Sequence, residues 1–137
     1  MTHPAVMSGT MYEGEAPPPT VMRLVADDGA TLLKKVDGTL GVDTIELRVY
    51  DAYDAEEGLV VTKTLTGSGL NNVMFDTAQT DAYAFDNEGY NFRHQLTAAD
   101  VAAFKGGHVY VFEYQIQPTA QKNQVHTSQL QVHGTGY

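Results

Sequence analysis

The sequence contains no cysteine. Disulfides, thiolate zinc sites and a cysteine nucleophile are therefore excluded. Basic residues are also scarce: eight Lys and Arg stand against 17 Asp and Glu, giving a formal net charge of −9. A surface that reads duplex nucleic acid needs clustered Lys and Arg to displace counterions, and the longest basic run is Lys34-Lys35. No direct nucleic-acid partner is expected. No apolar run approaches the ~20 residues of a spanning helix, so no membrane partner is expected either. The segment MTHPAVMSGTMYEGE has no basic stretch leading into an apolar one, so it does not read as a secretory signal.

A chain of 137 residues suits one domain. Its 42% hydrophobic content is that of a globular protein, and its 18% charged content lies below the usual ~25%, which suits a neutral surface with much buried contact. Residues 1–19 carry Pro4, Pro17, Pro18 and Pro19 with no core-forming pattern. Proline fixes φ and lacks an N–H, so the triple proline favours an extended path. The expected organisation is an extended N-terminal docking arm over residues 1–19 and a β-sandwich domain over residues 20–137.

From Thr20 the pattern is β. TVMRLVA reads as a strand ended by Asp27-Asp28-Gly29. In DTIELRVYD, Ile45, Leu47 and Val49 share one face while Glu46, Arg48 and Tyr50 share the other. LVVTKTLT is β-branched, NVMF is short, and YNFRHQL places Tyr90, Phe92 and His94 together. HVYVFEYQI sets His108, Tyr110, Phe112, Tyr114 and Ile116 on one face, the filling of a sandwich core, and Val109, Val111 and Glu113 on the other. TAADVAAF is the one helical signal, with Thr97 and Asp100 spaced as a capping-box variant and Gly106-Gly107 as a stop. In QVHTSQLQVHG, Val125 and Thr127 are odd-numbered while Leu130 and Val132 are even-numbered. A strand keeping these inward needs an extra residue, so a β-bulge is expected near Ser128-Gln129. The fold class expected is all-β: an antiparallel β-sandwich. LTAADVAAFKGGHVYVFEY has the look of the turn and penultimate strand of immunoglobulin-like or fibronectin-like domains, an analogy of fold that carries no function.

The residues with chemical potential form no recognisable site. His3, His94, His108, His126 and His133 have no spacing that requires convergence on a metal. Asp51, Asp54, Glu56 and Glu57 gather in DAYDAEEG without the ligand spacing of an EF-hand, and DNEGY is a similar fragment. GSGLNN lacks the Lys-Ser/Thr of a phosphate loop. GxSxG is absent. Tyr50, Tyr53 and Tyr83 suit either a sugar-stacking platform or ordinary protein contact, the latter favoured. No catalytic residue, metal or cofactor is assigned, and no enzymatic activity is expected.

The segment VMFDTAQTDAYAFDNEGYNFRHQL, with RLVADDGATL and DTIELRVYD before it and GGHVYVFEYQIQP after it, resembles small β-rich proteins of tailed bacteriophages encoded near head and tail morphogenesis genes. The resemblance covers roughly residues 21 to 118, and DNEGYNFRH is its most specific piece. It implies a virion structural protein assembled in the host cytoplasm, foremost a capsid decoration or cement protein. The partners implied are the major capsid protein or other virion proteins, with a homo-oligomer expected. A neck or tail component, or a carbohydrate- or host-surface-binding sandwich, are the alternatives. A polyproline arm is already extended and loses little entropy on docking. The residues expected to meet partners are Pro4, Met7, Met11, Tyr12, Pro17, Pro18 and Pro19 of the arm, with Val109 and Val111 on the free face of their strand.

Overall fold

The computed structural model describes residues 6–7 (backbone only), 11–52 and 58–134. Among these described residues nine strands form two sheets around one core. These are β1 (Val6–Met7), β2 (Met11–Tyr12), β3 (Thr20–Met22), β4 (Val42–Asp51), β5 (Leu59–Thr66), β6 (Met74–Gln79), β7 (Tyr90–His94), β8 (Val109–Pro118) and β9 (Gln124–His133). A four-stranded sheet runs β1-β3-β7-β6, and a five-stranded, curled sheet runs β2-β9-β8-β4-β5. All pairings are antiparallel except β2 with β9. The all-β expectation holds in this form.

Alternation built the central strands as read. Ile45, Leu47 and Val49 of β4 are fully buried, as are Tyr110, Tyr114 and Ile116 of β8, with Phe112 beside them. Each such side chain contributes about 1.5–3 kcal/mol on leaving water. From the facing sheet, Met22, Phe92 and Met74 stand side by side in register across β3, β7 and β6. Phe92 meets Tyr114 edge-on at 5.3 Å, joining the two sheets.

Three expectations are corrected. First, β9 has no bulge: its register with β8 is continuous from Gln124 to Gln131. The inward set is Gln124, His126, Ser128, Leu130 and Val132, so the first half of the strand turns polar residues inward and leaves Val125 exposed. Hydrogen bonds make this tolerable: Gln124 Nε2 donates to the Val25 carbonyl at 2.6 Å, and His126 Nε2 lies 2.9 Å from Gln124 Oε1. Second, residues 97–104 form successive turns and no α-helix. The capping box does form, with the Thr97 N–H donating to Asp100 Oδ2 and the Asp100 N–H to Thr97 Oγ1. Leu96, Val101 and Phe104 plug the core, Phe104 lying flat on Tyr110 at 3.9 Å. Burial of those side chains outweighs helix propensity over so short a run.

Third, the described part of the N-terminal segment packs on its own sheets. Met11 is buried opposite Val132, and the Glu13 N–H donates to the His133 carbonyl at 2.8 Å. Pro17 is buried, and its carbonyl accepts Gln95 Nε2 at 2.7 Å. Methionine is flexible enough to fill a slot at the sheet edge, which removes Met11 and Pro17 from the free surface.

Candidate interaction surface

Period two places every second residue of the five-stranded sheet outward. On β8 these are Val109, Val111, Glu113 and Gln115, all half-buried. They oppose Gln131, Gln129, Thr127 and Val125 of β9. On the other side of β8, Tyr50, Arg48 and Glu46 of β4 oppose Val111, Glu113 and Gln115. The face carries three charges, Glu46, Arg48 and Glu113. Arg48 pairs with Glu46 at 2.5 Å and faces Glu113 across the ladder. A hydrogen bond with Tyr50, and then Glu46, hold the Arg48 guanidinium still more firmly protonated. The result is a field of Val, Gln and Thr over β9 and the Val109–Val111 end of β8, beside a charged cluster of Glu46, Arg48 and Glu113 that sums to −1.

The residues expected to meet partners fall in different places. Val109 and Val111 sit inside this field. Tyr12 joins its margin: it is 48% exposed, and its ring lies 5.4 Å from that of His133. Pro18 and Pro19 are half-buried at the entry to β3. Met7 lies in β1, paired with Thr20, and Pro4 lies outside the described residues. Tyr50 and Tyr83 lie on different elements: Tyr50 is on β4, and Tyr83 is on the β6–β7 loop beneath the Arg93 guanidinium, 4.8 Å away. Tyr53, Asp54, Glu56, Glu57 and His3 lie outside the described residues.

Matching this chain against protein-family models, curated proteins and solved structures gives no similar protein. The site is read from geometry alone.

The acidic DNEGY fragment is a structural knot. Asp86 Oδ1 accepts the N–H groups of Glu88 and Gly89 at 3.0 and 2.9 Å, and it also receives Arg23 Nη2. Arg23 is only 5% exposed, donates Nε to the Gly89 carbonyl at 2.9 Å, pairs with Glu88 at 2.9 Å and lies over the Phe85 ring. The Arg23 hydrogen bond, foremost, holds the Asp86 carboxyl below the usual carboxylate range. Beside it Tyr90 donates its hydroxyl to Asp81 at 2.8 Å, and Arg93 donates to the Tyr90 oxygen at 3.2 Å. Asp81 is lowered, first by the Tyr83 N–H and then by Tyr90, while burial and then Asp81 raise Tyr90.

Asn91 is wholly buried and bridges β7 to the 24–33 segment. Its Oδ1 accepts the Leu24 N–H at 2.7 Å, and its Nδ2 donates to the Leu24 and Leu33 carbonyls at 2.9 Å each. Sequence alternation places Asn91 on the face opposite Phe92 but gives no sign that a loop covers that face.

His94 Nδ1 lies 2.9 Å from the Tyr114 hydroxyl, and burial lowers its pKa to about 4. His108 Nδ1 is 2.9 Å from Asp51 Oδ2. Among the described residues no three His, Asp or Glu side chains are grouped to hold a metal ion. A shallow cleft of about 410 Å³ lies between Val36, Asp43, Leu70 and Thr119, with the Thr119 hydroxyl bound to Asp43 at 2.7 Å. It gathers no histidine, and its titrating side chains are Lys35, Asp37 and Asp43.

Proposed function

We propose that the chain is a non-enzymatic structural protein of a bacteriophage virion, foremost a capsid decoration protein that binds neighbouring capsid subunits, and that its sandwich is of the immunoglobulin-like type. The strand order supports the fold assignment. The N-terminal strand divides between the sheets, β1 joining β3 and β2 running parallel to β9. The Tyr110 hydroxyl, at the start of β8, accepts the Lys105 N–H at 2.8 Å, in the manner of the tyrosine corner of such domains. Functional support comes from the resemblance of residues 21 to 118 to small phage proteins, and above all from the outer face of the five-stranded sheet. Interfaces are depleted in charge at their centre, and Val109 and Val111, opposite Gln131 and Gln129, form an uncharged end of this face. A face of this kind binds by area and hydrogen bonding, with little electrostatic steering.

The test is co-sedimentation of the purified chain with tailed-phage heads. Saturable binding, weakened at least about tenfold by Val111→Lys in a chain whose circular dichroism is unchanged, is the expected result. Failure to bind heads refutes decoration, and rings or tubes formed instead move the protein to the neck or tail.

A further inference from the structure

Edges decide how sheets meet, and here the edges are unequal. β1 and β2 are two residues long, and the pairing of β6 with β7 is broken between Met74 and Gln79. β5 is different: eight residues, no proline or glycine, and β4 as its strand partner among the described residues. Such an edge is a template for a further strand. Short strands, bulges, prolines and charges, inward-pointing ones included, normally blunt an edge, and a charge does so less once it is neutralised by a partner. On β5 the one irregularity is the register shift at Val60, and the one charge, Lys63, is turned inward and paired with Asp100 at 2.7 Å. From Val61 to Thr66 the strand is regular, with Thr62, Thr64 and Thr66 exposed on the outer face.

We propose that β5 pairs with β5 of a second copy of this chain, antiparallel about a two-fold axis at Thr64, joining two five-stranded sheets into one. The occupant follows from the sequence of the edge itself. A two-fold axis perpendicular to the sheet places residues of like parity opposite one another. Centred on Thr64, it sets Thr62 against Thr66 of the second copy and Thr64 against its own equivalent, a ladder of threonines, which are favourable cross-strand neighbours. On the inner face Lys63 opposes Leu65, so no like charges meet. A chain of net charge −9 repels its own copies at long range, and this edge offers them a neutral place to join. The pairing is independent of the virion reading, because it forms from the chain alone.

The test exploits that self-opposition. Light scattering of the wild-type chain from about 1 μM to about 1 mM is expected to show a monomer–dimer equilibrium. Thr64→Lys sets two ammonium groups face to face in the dimer, while in the monomer the new side chain neighbours Glu46, its partner across the β4–β5 ladder. Thr64→Lys is expected to raise Kd at least about tenfold at unchanged Tm, and mixing it with Thr64→Glu to restore a heterodimer. Because the chain has no cysteine, Thr64→Cys treated with a short thiol crosslinker reports the axis directly, and it should crosslink more than Thr62→Cys. A wild-type chain monomeric at about 1 mM, a dimer indifferent to Thr64→Lys, or equal crosslinking from the two cysteine positions would each overturn the proposal.

Discussion

Replacing Asn91 tests whether the covered face of β7 is held by one amide. The side chain is fully buried and makes three hydrogen bonds to backbone. Asn91→Ala removes all three. The Leu24 carbonyl keeps the Leu33 N–H as a partner at 3.0 Å, so the groups stranded are the Leu24 N–H and the Leu33 carbonyl. A buried polar group left unpaired costs about 1–3 kcal/mol, so two give about 4 kcal/mol, with a small cavity added. For a domain of this size that lowers Tm by roughly 15 °C. Urea unfolding at pH 7 is the assay, with Asn91→Asp as its companion. The aspartate can still accept from Leu24 but turns an oxygen towards two carbonyls. Its pKa therefore rises in the folded state above the unfolded value of about 3.9. A raised carboxyl destabilises increasingly as pH climbs above the unfolded pKa, so the deficit of Asn91→Asp relative to wild type should be larger at pH 7 than at pH 4.5. A loss below about 1 kcal/mol for Asn91→Ala at unchanged m-value, or a pH-independent deficit for Asn91→Asp, refutes this account of the bridge.

Two further perturbations are equally direct. Gly89 has φ +91°, and an added Cβ would lie 2.4 Å from the Gln79 carbonyl oxygen. Gly89→Ala should therefore cost about 2 kcal/mol or more and loosen the Arg23–Asp86 knot, visible as faster amide exchange at Glu88. His94 has its pKa lowered to about 4 by burial, against an unfolded value of about 6.5. Stability from the neutral ring is complete above pH 6.5 and is lost as pH falls from there to 4, by up to about 3 kcal/mol. Its charged neighbours there, Asp100 and Lys63, act oppositely on the ring, and Asp100, lowered to about 2, itself titrates below that window. His94→Phe should flatten thermal stability between pH 6.5 and 4, and a wild-type Tm already flat across that range would contradict the buried neutral ring.

What the sequence discloses follows from whether water or protein faces a side chain. β4 and β8 are legible because apolar and polar residues alternate along them, and their inner faces meet apolar side chains of the opposing sheet and of the 97–104 turns. β9 is not, because Gln124 and His126 turn inward and are satisfied by Val25 and by each other. A hydrogen bond that makes burial tolerable leaves no trace in hydropathy. Arg23 and Asn91 mislead for the same reason. Both fall where alternation points to solvent, and a loop distant in sequence covers each of them: 86–89 over Arg23 and 24–33 over Asn91. The outer face of the five-stranded sheet was partly readable, since Val109 and Val111 interrupt an otherwise polar set. The β5 edge was not, because its significance lies in which neighbour is missing.

The parallel pairing of Met11 with Val132 has a consequence for synthesis. The two residues are 121 positions apart (132 − 11), so the first strand of the five-stranded sheet has nothing to pair with until almost the whole chain has left the ribosome. The β2 edge of β9, the Met11 slot and the Glu13–His133 bond come into being together. Because loop closure over such a separation must precede any gain from contact, β2 closes last, after the nearby β1–β3 pairing. During translation the nascent chain therefore carries β2 unpaired, and any partner that engages Met11 and Tyr12 at that stage competes with β9.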